Sequence, residues 1–589
     1  MPFDEGLIRT ALGREPADVV IKNGKLVNVN SGEIYAADIA IRGSRVASIG
    51  PLPEGVVGAE TKVIDATGFY LAPGFIDAHI HIESSMLTYT EFAKMVAPRG
   101  TTAVASDLME VTIVSGLDGM RELLAEARHT PVRLYYPIPS FMDDSPDIQT
   151  TGSELSPDAV RELLELPEAI GLAEVLAPPV LAESPKLAET LEYARRRGKT
   201  LEGHAPALRG EALNAYAGVG IRSDHETTSH EEALEKLRVG LRLLLREGSA
   251  SADLLEGIKI VTCEGVSTRN ISLVSDDIDA LHIARFGHMD HKVRMAIKAG
   301  VPPVEAIQMA TINPAESLKI DGDCGSISPG KFADIVFLSS LEDCTVKRVI
   351  SRGETVVEDS KLVRAINKPK YSDKLLHTVR LKKPVTADDM AIKGPDGSKK
   401  ARVRVIAASG YSLLTGAEEA EVLVQNGIIS SDASNDVLHI ACVERYGKDG
   451  GIGRSFISGV GLKEGAIAIS VGHDHHNVTV VGCEPYDMAK AVNRVAELDG
   501  GVVFVRGGEV RSEIPLPVCG LLSNENGEEV AEKLRCMILA LEEAGCELPS
   551  PNVTLSFITL IFIPELAITD KGLFDVRLFK IVDPIISLS

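Results

Sequence analysis

The sequence predicts an α/β protein: a (β/α)8 barrel, a β-sandwich built from both flanks of that barrel, and a further C-terminal α/β domain. Three observations predict it. Eight apolar strand candidates alternate with helical stretches over about 240 residues, the size of such a barrel. Short strand-and-turn segments lie on either side of that run. Histidines and acidic residues recur at the ends of the strand candidates, where barrel active sites lie.

Residues 1–72 read as short β segments. In "VVIKNGKLVNVNSGEIYAADIAIRGSRVASIG" the pattern is strand, Asn23-Gly24 turn, strand. From Pro73 the pattern changes. The barrel strand candidates are "GFIDAHIH" (74–81), "TTAVASD" (101–107), "VRLYYPI" (132–138), "AIGLAEV" (169–175), "TLEGHA" (200–205), "GIRSDHE" (220–226), "GLRLLLRE" (240–247) and "ISLVSDD" (271–277). The seventh has an alternative reading as the end of the preceding helix. Among the intervening helices, "SPDAVRELLEL" carries Ser156 as N-cap and Pro157 at the first helical position. Residues 322–375 return to short strands and are expected to rejoin 1–72 in one sandwich, leaving 73–321 as the barrel. "NKPKYSDKLLHTVRLKKP" reads as a linker, and 376–589 as the C-terminal domain.

Composition bounds the function. A net charge of −23 argues against nucleic acid or an anionic membrane as the main partner. The longest late apolar run, "VTLSFITLIFIPELAI", is interrupted by Ser, Thr and Pro and is too short for a membrane span. The N-terminus lacks a basic-then-apolar signal pattern. Eight scattered cysteines without a CxxC pair fit a reducing cytoplasm rather than a disulfide scaffold or thiolate zinc site.

The strand ends carry the chemistry. Strand one ends on His79 and His81, strand four on Glu174, strand five on His204, strand six on His225 and strand eight on Asp276. Residues i and i+2 of a strand face one side, so His79 and His81 pair on one face. Each residue alone has a bland reading: a hydrogen-bonded core histidine, a paired carboxylate, or for Asp276 a helix N-cap. Together they form a ligand set for zinc, manganese or iron at one barrel mouth, with one carboxylate able to bridge two ions.

"PGFIDAHIHIESS", "GLAEV", "GHAPALRGEALNAYAGVGIRSDHE", "SDD", "GHMDHKVRMAI" and "GSISPGKFADIVFL" resemble the amidohydrolase superfamily and, within it, the adenine deaminases. "GLKEGAIAISVGHDHHNVTVVG", "DMAKAVNRVAELDGGVVFV" and "EIPLPVCGLLS" extend the resemblance to the C-terminal domain. It implies hydrolysis of adenine to hypoxanthine and ammonia, in purine salvage, by hydroxide activated at two divalent metal ions, manganese first, with iron or zinc as alternatives. His79 and His81 would hold the first metal, Glu174 would bridge, and His204 and His225 would hold the second. Asp276 would bind the first metal and move protons. Glu83 would act on a ring nitrogen, or else serve as a helix-start carboxylate. Ser84 and Ser85 are candidate substrate contacts; His473, His475 and His476, three of fourteen histidines within four residues, read as a polar loop closing the barrel mouth or as a substrate contact or an extra metal site. The resemblance also implies a small-molecule substrate and a homo-oligomer.

Two features depart from the family pattern. Where the family commonly shows Asp-Pro-His-Glu after strand two, this chain has Asp107-Leu108-Met109-Glu110. The loop after strand three reads "PIPSFMDDSPDIQTT". Both lie at the expected barrel mouth. They leave open a second reading, an amidohydrolase acting on another aminated heterocycle or cyclic amide. A third reading is a catalytically idle binding subunit, which has no physical need for six ligands.

Overall fold

The computed structural model describes residues 4–140, 146–249, 251–395, 397–410, 412–562 and 565–589. At its centre eight parallel strands run in chain order: Phe75–Asp77, Thr101–Ala105, Arg133–Pro139, Ala169–Leu176, Thr200–His204, Ser223–Asp224, Arg242–Arg246 and Ile271–Val274. All eight sequence candidates are therefore strands, the seventh included. Ser156 caps the helix Pro157–Leu164 by accepting from the Ala159 N–H at 3.2 Å. Ile76, Ala103, Leu244 and Val274 lie nearer the strand N-termini than the candidate ligands. They pack with Ala315 and Leu318 and fill the barrel beneath the mouth.

Strands one and eight share no direct ladder among the described residues. The strand is interrupted by a bend at Ala78–His79 and resumes as Ile80–His81, which pairs in parallel with Asp276–Asp277. The single strand expected over 74–81 is thus two pieces, as is that over 271–277. The backbone N–H of Asp276 donates to His79 O at 3.0 Å, and that of Ser275 to Asp77 Oδ1 at 3.2 Å. Across the same seam the His288 ring joins Ser275 Oγ (3.0 Å), Thr101 Oγ1 (2.8 Å) and Asp77 Oδ2 (3.1 Å). The barrel closes through the residues that carry its candidate chemistry.

Strands from before and after the barrel join in one nine-stranded sheet, with Tyr70–Pro73 antiparallel to Ile335–Leu338. The sheet rolls on itself: Val46 N–H donates to Lys331 O (3.0 Å) and Gly330 N–H to Val46 O (2.8 Å). Ile21, Ile39, Val46, Leu71, Ile335 and Phe337 fill it. The expected Asn23-Gly24 turn is instead a bulge within one strand, Val19–Asn28, whose register against Glu33–Arg42 shifts between Ile21 and Gly24. Asn23 takes a positive φ of 64° there, and its side chain donates to Asp65.

The C-terminal region builds a ten-stranded sheet and a three-stranded one. Helices Pro485–Glu497 and Gly527–Glu543 belong to it. It sits over the barrel's strand-end loops. Ser523 N–H donates to Met86 O (2.7 Å) and Thr88 N–H to Ser523 O (3.2 Å), beside strand one. Asp570 accepts from Thr150 N–H (2.8 Å) and Oγ1 (2.7 Å), beyond strand three, and Ser550 Oγ donates to Ser249 O (3.3 Å), beyond strand seven. The expected linker is pinned to the helix Met109–Ala127, where Ser372 donates to Glu122 and Tyr371 to Glu126.

Candidate active site and metal centre

The six ligands predicted from sequence converge. His79 Nε2 lies 3.4 Å from Glu174 Oε1 and 3.6 Å from Asp276 Oδ1. His81 Nε2 is 3.7 Å and 3.6 Å from the same two oxygens. His225 Nε2 is 3.6 Å from Glu174 Oε1, and His204 Nδ1 is 2.7 Å from Glu174 Oε2. The rings of His79 and His225 stack with centroids 3.8 Å apart.

Local backbone explains how the two carboxylates reach this point. The register between strands four and five shifts between Leu172 and Val175, a bulge that re-aims Glu174 into the mouth. Glu174 takes φ 51° and Asp276 φ 58°, left-handed conformations that cost a non-glycine residue energy and concentrate at functional sites. Asp276 is not a helix N-cap; Asp279 is, accepting from the His282 N–H at 2.8 Å.

The donor set fits metal ions. Ligands held by ~2.1 Å bonds around one ion lie roughly 3.0–3.4 Å apart, close to the separations here. His79 Nε2 and Glu174 Oε1 are buried and make no hydrogen bond. Burial and the adjacent His79 hold His225 well below the usual histidine range, leaving the neutral ring a metal requires. Burial alone would raise Glu174, but His204 and His225 hold it well below the usual carboxylate range.

Residues that sequence reasoning missed complete the site. Arg246 Nη1 donates to Asp276 Oδ2 (3.0 Å) and Glu226 Oε1 (2.7 Å), while its Nε binds Asp253 (2.8 Å). Arg246 ends strand seven and Glu226 directly follows His225; strand-end position was the signal that could have found them. Buried Lys236 pins Asp224, beside His225, at 2.6 Å. On the other side of His81, Nδ1 faces Asp107 Oδ1 (3.3 Å) and Glu110 Oε1 (3.6 Å).

The remaining candidates divide. Glu83 is buried and accepts from the Val111 N–H at 3.3 Å, so it caps the helix after strand two. Burial, then Asp107, push its carboxyl up to about 7. Ser84 Oγ donates to Asp277 at the seam. Ser85 is not free for substrate: it is fully buried, donates to Ile82 O (2.6 Å) and accepts from Leu87 N–H (3.2 Å). His473 reaches down from the C-terminal region, with Nδ1 3.4 Å from Glu110 and its ring stacked on Phe557. His475 turns into its own sheet, where Nδ1 accepts from Asn477 N–H (3.0 Å) and Nε2 lies 3.9 Å from Cys442 Sγ. His476 accepts from Gly472 N–H (3.2 Å) behind His473. Of the three candidate histidines, His473 alone is set against a barrel residue. Of the loop spanning 136–151, residues 141–145 lie outside the described residues.

The Amidohydrolase family matches residues 70–356, and the Adenine deaminase C-terminal domain matches residues 412–580. An adenine deaminase of Moorella thermoacetica is 40% identical over 579 residues, covering 98% of this chain and 97% of its own. The chain belongs to the adenine deaminase family. Another adenine deaminase, from Mesorhizobium japonicum, is 41% identical over 581 residues, covering 98% and 96%. A solved β-aspartyl dipeptidase from Fervidobacterium islandicum AW-1 covers 59% of this chain and 99% of its own, at 20% identity and a TM-score of 0.46. Membership in the adenine deaminase family, with these buried His, Asp and Glu clusters, marks the chain as a metal-binding hydrolase.

Proposed function

We propose that this chain hydrolyses adenine to hypoxanthine and ammonia. The observation that carries the reading is the buried convergence of four imidazoles and two carboxylates at the barrel mouth. Its full-length likeness to relatives named adenine deaminase supplies the substrate.

Two divalent ions fit the donor set, manganese first, iron or zinc as alternatives. His79, His81 and Asp276 would hold one, His204 and His225 the other, with Glu174 between them. When bound, the ions supply the acidity that lets water lose a proton near neutral pH. Asp276 takes that proton and returns it to the amine leaving C6, acting as base and then acid. Arg246 fixes Asp276 Oδ2 and leaves Oδ1 toward the imidazoles. Glu83, raised to about 7, holds a proton suited to a ring nitrogen.

Half-buried Met109 directly precedes Glu110, whose Oε1 lies 3.6 Å from His81 Nδ1, and favours the second reading, another aminated heterocycle or cyclic amide. Initial rates on adenine against guanine, cytosine and cyclic amides separate the two. A kcat/KM for adenine at least tenfold above the others supports deamination of adenine; the reverse order moves the substrate to that other heterocycle.

We place the chain in the cytoplasm, in purine salvage, as a homo-oligomer with a small-molecule substrate. All eight cysteines are free thiols, and no helix of the described residues is long and apolar enough to cross a membrane. The boundaries 1–72 with 322–375, 73–321 and 376–589 are our domain division.

A further inference from the structure

On the side of His81 facing away from Glu174 and Asp276 lies a second group of ligand-type atoms, of which the deamination reading uses Glu83 alone. Glu83, Asp107 and Glu110 bring three carboxylates together, all at most 2% exposed. Neither oxygen of Glu110 accepts a hydrogen bond, and neither Asp107 Oδ2 nor Glu83 Oε2 does. An ionised carboxylate buried without a partner costs several kcal/mol, so each of these groups calls for a proton or a positive charge. His81 Nδ1 is within 3.6 Å of both Asp107 and Glu110, but it can offer one N–H between them.

A fifth residue enters from the C-terminal region. His473 Nδ1 stands 3.4 Å from Glu110 Oε1. That is too long for a good hydrogen bond and close to the spacing of two ligands on one ion, roughly 3.0–3.4 Å for ~2.1 Å bonds. The atoms of His81, Asp107 and Glu110 likewise fall within 4.8 Å of one another.

We propose that Asp107, Glu110 and His473 hold a further divalent transition-metal ion, separate from the catalytic pair. Two carboxylates and one imidazole suit manganese, iron or zinc, and water completes the shell. His81 turns Nδ1 toward Asp107 at 3.3 Å and Nε2 toward the pair, so the two centres share one ring. Because His473 belongs to the C-terminal region, the ion ties that region down over the mouth. The inference rests on the metal-dependent reading of the barrel.

The test is metal content after equilibrium dialysis of the full chain against manganese, for wild type, Glu110→Gln, His473→Gln and His225→Ala. Glutamine keeps the size of Glu110 and removes its charge, so folding is favoured rather than impaired. Three ions in wild type and two in each glutamine variant are expected. Amide exchange of residues 472–477 is also expected to speed up at least tenfold in Glu110→Gln and in chelator-treated wild type. Two ions in wild type and two in Glu110→Gln, with fewer in His225→Ala, would overturn the extra site and leave the pair standing. The same counts with a raised KM for adenine in Glu110→Gln would assign the carboxylate to substrate instead. No bound metal in wild type would sink both readings.

Discussion

Arg246 Nη1 and Asp276 Oδ2 are 3.0 Å apart, and both side chains are buried. Asp276 thus reaches the imidazoles with one oxygen while the other is held by a fixed cation. Breaking a buried pair of this kind costs about 3–5 kcal/mol, because one charge is left behind. Arg246→Met is expected to lower kcat by about 100-fold or more. Burial opposes ionisation of Asp276, and His79 and Arg246 hold its carboxyl well below the usual range. Without Arg246 that pKa rises, so the acid limb of the rate profile moves to higher pH. Arg246→Lys restores the limb in part. A profile that does not move in Arg246→Met would remove Arg246 from this role.

Metal and fold are coupled through the seam. The pairing that closes the barrel, Asp276 with Ile80 and Asp277 with His81, runs through two candidate ligands. An ion that binds only the folded chain adds about 4 kcal/mol at a thousand times its dissociation constant. Chelation is therefore expected to lower the first thermal transition of wild type. Glu174→Ala should melt at one temperature with or without manganese. Calorimetry with and without chelator reads both.

His288 staples the same seam from below. Losing its hydrogen bonds to Thr101 and Ser275 is expected to cost about 2–3 kcal/mol. His288→Gln should recover part of that, and urea unfolding followed by a barrel-specific probe measures it. Equal stability of His288→Ala and wild type would mean that the seam closes without the ring.

His439 gives a pH dependence far from the catalytic chemistry. It lies buried in the C-terminal sheet, its Nδ1 has no hydrogen-bond partner, and burial lowers its pKa from 6.5 to about 4. The unfolded chain takes up a proton that the folded chain refuses, so stability falls as pH drops from 6.5 toward about 4. Over that span the loss is about 3 kcal/mol. His439→Leu should flatten this part of the stability curve, as thermal melts between these pH values will show.

The barrel was legible because period and spacing survive in the sequence: its strands carry apolar runs, the short Ser223–Asp224 excepted, and His79, His81, Glu174, His204, His225 and Asp276 sit at or near strand ends. What was not legible depends on contacts distant in sequence. Asn23-Gly24 carries the composition of a hairpin turn, yet pairing with Glu33–Arg42 on one side and Lys62–Asp65 on the other makes it a bulge. Arg246 reads as one more cation in "GLRLLLRE", and only the fold sets it against Asp276. His473, His475 and His476 look like one site in a row, but successive side chains of a tight turn point apart, and His473 alone meets the barrel.

The most direct measurement is ammonia release from adenine by apoprotein, manganese-reconstituted protein and reconstituted His81→Ala. The account predicts none from the apoprotein, sustained release after reconstitution, and loss of at least 100-fold in His81→Ala. Equal release from the reconstituted wild type and His81→Ala, or none from wild type at any manganese loading, would contradict it.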